Sequence, residues 1–325
     1  MGGTSWSDDH YSARSATRRS KGIGEFDYSH KVATGVLPKA SHVDLDPAKL
    51  KAGKREVRDS ETHPESVPVF IGLDVTGSMS SVPKKMQAKL PLLLGLLLRK
   101  GYLSDPAICI SAIGDAKYDA APLQISQFES GVEIDDEINK LYLEGGGGGN
   151  MHESYELALY FLARCVASDN WEKRGKKGYA FIICDEEIAE KVSASEVKKV
   201  FGESSVLQDD IQIKDLMKEV LERWELYCII PNMTSHYDNP RYSQRWKELL
   251  GERVLHLTNP EGISELIAST IGVLEDNDIS SITEDLTSEG VDASIVNSVT
   301  KSLATVNADG SLSTYSTKGT GLATL

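Results

Sequence analysis

The stretch Val67-Pro68-Val69-Phe70-Ile71-Gly72-Leu73-Asp74-Val75-Thr76-Gly77-Ser78 decides how this chain is read. It opens as an unbroken apolar run with no alternation, the pattern of a strand covered on both faces in a parallel sheet. The run ends on an acid. A polar turn follows, and then a helical stretch over residues 83–100.

The same alternation continues downstream. Apolar strands are expected at 107–113, 123–128, 179–184, 226–231 and 254–257. Helices are expected at 153–166, 194–201, 213–223, 242–250 and 263–274. Alternating strands and helices with apolar strands predict an α/β fold, a doubly wound, mostly parallel Rossmann-like sheet with helices on both faces, over residues 67–275. No helix separates the strands at 107–113 and 123–128, so a hairpin there adds one antiparallel edge strand. Residues 1–66 are rich in Ser, Gly, Asp, Lys and Arg, lack sustained periodicity, and read as an extended N-terminal arm. Residues 276–325 carry 17 Ser/Thr and one aromatic, Tyr315. A small helical segment near 279–304 is expected there, then a flexible tail.

Composition bounds the function. The chain has 325 residues and a formal charge of −14, from 49 Asp+Glu against 35 Lys+Arg. The arm holds 11 basic and 10 acidic residues, so the acidity belongs to the body. A nucleic-acid binder is disfavoured on that ground. The sparse basic cluster Arg14, Arg18, Arg19 and Lys21 has acids nearby and reads as an ordinary polar arm. No apolar stretch is long enough to span a bilayer, and no secretory leader pattern opens the chain. Cys109, Cys165, Cys184 and Cys228 lie in apolar segments without paired spacing, as buried reduced thiols do. A cytoplasmic protein is expected.

In a doubly wound sheet the ligand site lies at the carboxyl ends of the strands. Three segments deliver oxygen ligands there. Asp74-Val75-Thr76-Gly77-Ser78 can turn a carboxylate and two hydroxyls toward one point. The glycine run 145–149 ends at Asn150, just before a helix, and the strand at 179–184 ends at Asp185. Two carboxylates, two hydroxyls and an amide oxygen suit a small hard cation, Mg²⁺ or Mn²⁺.

These three pieces resemble a von Willebrand factor A domain with a metal-ion-dependent adhesion site, of the kind found in bacterial and phage proteins. Thr76 fills the middle position of the family's D-x-S-x-S motif, and Gly147-Gly148-Gly149-Asn150-Met151-His152-Glu153 aligns with its GGGD-x-P-E loop. Asn150 stands where that loop has Asp, which removes one negative charge; in a shifted loop Glu153 contributes instead. The resemblance implies metal-dependent protein binding, with Asp74, Thr76, Ser78, Asn150 and Asp185 around the ion and a partner's Asp or Glu completing its coordination. It implies no catalytic residue. An AAA+ ATPase is the partner the family suggests.

Other readings of the same residues are weaker. Asp74, Thr76 and Ser78 could form only a capped turn. The glycine run is not followed by Gly-Lys-Ser/Thr, so it is no P-loop, and His152-Glu153 lacks the second His of H-E-x-x-H. Around the centre, His152, Glu153, Asp115 and His236 are expected at the second shell or rim. A structural or assembly role with a stabilising metal is the first alternative. A metal-dependent hydrolase is the second, and it would draw its general base from His152, Glu153 or His236.

Overall fold

The computed structural model describes residues 6–50, 53–77, 79–145, 153–202 and 207–304. Its central sheet has six strands: β1 (Val67–Asp74), β2 (Pro106–Ile113), β3 (Leu123–Ile125), β4 (Gly178–Ile183), β5 (Trp224–Pro231) and β6 (Val254–Leu257). Their order is β6-β5-β4-β1-β2-β3. Every neighbouring pair is parallel except β2 and β3, which form the expected antiparallel hairpin edge. From β1 the chain winds first toward β2 and β3, then returns to the other side of β1 for β4, β5 and β6. The fold is therefore doubly wound α/β, with its topological switch between β1 and β4.

In chain order the larger helices are α1 (Asp8–Ser20), α2 (Asp27–Ala33), α3 (Val82–Ala88), α4 (Leu90–Leu94), α5 (Glu133–Asn139) and α6 (Tyr155–Arg164). They continue with α7 (Ala194–Phe201), α8 (Ile213–Arg223), α9 (Pro240–Leu250), α10 (Ile263–Leu274), α11 (Ile279–Ser288) and α12 (Ala293–Ala304). The period of two along each strand sorts the core into two layers. Val69, Ile71 and Leu73 face a layer built from α3, α4, α5, α10, α11 and α12. Phe70 faces the other layer, built from α6 to α9. Gly72 points into that second layer, where a Cβ would come within 2.9 Å of the Ile113 and Ile182 side chains. The neighbouring strands thus fill the space that Gly72 leaves.

Helix α9 starts at Pro240, two residues before its expected start, and two other helical stretches differ from the sequence expectation for local reasons. The stretch at 83–100 is broken into α3, α4 and a π-helical turn, Gly95–Arg99. Pro91 has no N–H to give the Gln87 carbonyl, and the Tyr11 hydroxyl donates to that carbonyl instead. Helix α6 ends at Arg164 because Val166–Ser168 forms a short strand, parallel to Arg55–Val57 of the arm.

The described residues of the arm lie along the body. Arg14 and Arg18 of α1 pair with Asp136 and Asp135 of α5. Farther on, Arg58 pairs with Asp169 and Glu172, while Asp59 accepts from Arg174. At the amino ends of β1 and β2, His63 Nδ1 lies 2.5 Å from Asp105 Oδ1, and Asp105 Oδ2 accepts the Glu65 N–H. After the sheet, α11 and α12 bury Ile282, Leu286, Val299 and Leu303 against the first layer. The 305–325 tail lies outside the described residues. No helix among the described residues is long and apolar enough to cross a membrane, and all four cysteines are buried free thiols.

Candidate functional site

The carboxyl ends of β1 and β4, the two strands beside the switch point, each deliver one buried acid. Asp74 is the last residue of β1 and is fully buried. Its Oδ1 accepts the Thr76 N–H at 2.9 Å and the Thr76 hydroxyl at 2.5 Å. Its Oδ2 accepts the hydroxyl of Tyr155, 2.5 Å away in the first turn of α6. Burial pushes the Asp74 carboxyl up to about 6, and the nearby Asp185 charge adds to the rise against the pull of the Thr76 and Tyr155 donors.

Asp185, two residues past the end of β4, is 1% exposed. Its Oδ2 accepts the Thr234 hydroxyl at 3.1 Å and stands 3.7 Å from His236 Nδ1. Its Oδ1 has no hydrogen-bond partner. Thr234 also accepts the His236 N–H, and the imidazole stacks on Tyr242 with centroids 3.9 Å apart. The loop after β5 thereby brings His236 beside Asp185, at the rim of the site.

The amino end of α6 closes the third side. Ser154 N–H donates to the Gly114 carbonyl, and Ser154 Oγ accepts the Ala116 N–H, which stitches this end of α6 to the loop after β2. Asp115 spends Oδ1 on the Lys117 N–H, in a local turn, and leaves Oδ2 without a partner. Glu153 is 4% exposed, and its Oε2 is also unpartnered. Burial raises its carboxyl to about 9, helped by the charges of Asp74, Glu186, Asp119 and Asp115. Glu186 is pushed to about 7 by burial and by Asp185, Asp74 and Asp115.

The structure thus brings Asp74, Thr76 and Asp185 together at the switch point, with Glu153, Asp115 and His236 around them. Ser78, Asn150 and His152 lie outside the described residues. Among the described residues alone, no three His, Cys, Asp or Glu side chains are grouped so as to hold a metal ion. The acids present nevertheless have the chemistry a cation requires: hard oxygens, several without hydrogen-bond donors, with other acids as the leading charges acting on Asp74, Glu153 and Glu186.

Tyr155, Thr234 and Glu186 were not legible as part of this constellation. Glu186 has a cue in its place beside Asp185. Thr234 lies three residues beyond β5, so strand-end position was its only signal. Tyr155 reads as one more apolar residue of a buried helix, and only the packing of α6 shows its hydroxyl aimed at Asp74.

No family model matches the chain, and no curated protein matches it. Among solved structures, the pilus adhesin SpaC from Lactobacillus rhamnosus GG aligns at TM-score 0.45 and 10% identity, over 67% of this chain and 32% of that one. The open conformation of the same adhesin aligns at TM-score 0.42 and 9% identity, over 67% and 31%. Proximal thread matrix protein 1 from the mussel byssus aligns at TM-score 0.41 and 9% identity, over 67% and 48%. The chain spans about a third of the adhesin's length and about half of the matrix protein's.

Proposed function

We propose that this chain is a metal-dependent protein-binding module of the von Willebrand A type, with Mg²⁺ or Mn²⁺ at the switch point. Asp74, Thr76 and Asp185 hold the ion together with Ser78 and Asn150. The observation that carries this reading is the pair of buried acids at the ends of β1 and β4, one of them with an unpartnered oxygen. Such oxygens are costly to bury unless a proton or a cation reaches them. When bound, the ion supplies a localised positive charge, able to attract an Asp or Glu from a partner to an otherwise acidic surface. This chain's own residues orient the donors. Thr76 and Tyr155 fix the Asp74 carboxylate, and Thr234 fixes one oxygen of Asp185 so that the other is presented. An AAA+ ATPase is the partner class suggested by the sequence resemblance, and the cytoplasm is the expected compartment.

The hydrolase reading keeps one supporting observation, the placement of His236 beside Asp185. It still needs a substrate pocket with that imidazole as general base.

Calorimetric titration of Mg²⁺ and Mn²⁺ into the full chain tests the proposal. Binding that is lost in Asp74→Ala, with an unchanged circular dichroism spectrum, is the expected result. Equal binding by both proteins would overturn it. Partner capture should likewise require Mg²⁺ and disappear in chelator.

A further inference from the structure

A cleft of about 640 Å³ opens beside the candidate centre, against the amino ends of α6, α7 and α9. Asp115 and Glu153 line it, so cleft and centre share a wall. Part of its charge is internally balanced. Arg245 lies 3.3 Å from Glu187 and 3.2 Å from Glu190, and Lys191 lies 2.7 Å from Asp210. Lys117 and Arg241 also line the cleft, and the Lys117 charge acts on Glu156; the inner wall is nevertheless mainly acidic. Asp115, Glu153 and Glu156 are each less than a tenth exposed, and each keeps one carboxylate oxygen without a hydrogen-bond partner. Half-buried Glu196 adds a fourth acid to the lining.

Unpartnered buried carboxylate oxygens favour a ligand that brings both positive charge and hydrogen-bond donors. A divalent ion needs several oxygens converging on one point, and the acids lining this cleft form no such group among the described residues. An ammonium group instead donates three separate hydrogen bonds in diverging directions. Its alkyl stem can follow the side-chain walls out to solvent.

We infer that this cleft binds an alkylammonium group, carried by a lysine side chain of the partner or by a free diamine. The assignment to a partner lysine rests on the protein-binding reading above; the cleft itself requires no metal. On that reading the recognised segment offers two charges, an acid to the ion and a lysine to the adjoining cleft.

The test uses the full chain at pH 8.5, titrated with N-acetyl-lysine methylamide, with cadaverine, and with N-acetyl-norleucine methylamide as the uncharged counterpart. The expected result is binding of a cationic probe and none of the uncharged one. Glu156→Gln should weaken that binding at least tenfold, while Asp74→Ala and chelator leave it within twofold. Preference for the lysine derivative identifies a side chain as the source, and preference for cadaverine a free diamine; either supports the site. Should Glu156→Gln fail to fold, Glu196→Gln takes its place with a severalfold weakening expected. Equal binding of the uncharged probe, or wild-type affinity in both Glu variants, would overturn the inference. So would cationic binding that vanishes with Asp74→Ala. A failed Mg²⁺ titration with ammonium binding intact would sink the metal reading and leave the cleft standing.

Discussion

Asp74 concentrates the chemistry of this protein at the residue scale. It ends the central strand, is fully buried, and is held by three hydrogen bonds from Thr76 and Tyr155. The Tyr155 contact makes a specific prediction. Tyr155→Phe removes the donor to Oδ2 and leaves a buried carboxylate oxygen uncompensated, which should destabilise the metal-free protein by about 1–3 kcal/mol. Urea unfolding in chelator measures it, and an unchanged midpoint would mean the hydroxyl contributes nothing. The Asp74-Val75-Thr76-Gly77-Ser78 pattern was readable because strand end, turn and hydroxyls are contiguous in the chain. Tyr155 was not, since its partner is 81 positions away.

At the scale of elements, α1 shows where pattern reading stops. Its 13 residues bury no side chain fully, so no apolar stripe announces a helix. Ser7 caps it, Asp8 and Asp9 open it, and Arg18 and Arg19 close it, all favourable to the helix dipole. Tyr11 packs against the first layer and donates to the Gln87 carbonyl, and charge adds the clamps. Arg18 meets Asp135, whose side chain is 0% exposed. Arg18→Ala would leave that carboxylate buried without its ionic partner, with only the Gln87 and Asn139 amides donating to Oδ1, at a cost of about 3–5 kcal/mol. Arg19→Ala, on the exposed face, should stay within about 0.5 kcal/mol. Thermal unfolding of the two variants side by side checks this, and equal midpoints would show that the Arg18 pair does not anchor the arm. A cluster that reads from the sequence as an ordinary polar arm thus includes two internal clamps, Arg14 and Arg18, because their acidic partners lie more than a hundred residues downstream.

Across the whole molecule, buried acids set the response to pH. Burial, with the charges of Glu196 and Asp115, pushes Glu156 up to about 8. The folded state therefore keeps a proton that the unfolded chain releases above its ordinary Glu range near 4.5. That contribution to stability is complete below the unfolded value and is lost as pH rises toward about 8. In chelator the unfolding midpoint should fall between pH 5.5 and pH 8.5, and Glu156→Gln should remove part of the fall, on the order of a few kcal/mol at the upper end. A variant with the wild-type slope would refute this. Asp59 and Asp169 act oppositely. Arg174 holds Asp59 below its usual range, and Lys173, the Asp59 N–H and Arg58 hold Asp169 low against the opposing effect of burial. Their contribution is present above the ordinary Asp range and is lost as pH falls through their lowered values, so the arm should loosen at strongly acid pH. The sequence by itself determined the sheet and its two covering layers, because the apolar strands and the periodic helices between them carry that information locally. It also determined which strand ends carry acids. Only the tertiary structure decided which oxygens are left without donors, where α1 is clamped, and that a cleft shares a wall with the candidate centre. Those features depend on side chains far apart in the chain meeting in a dry interior, where each unpaired charge acquires a cost that it lacks in water.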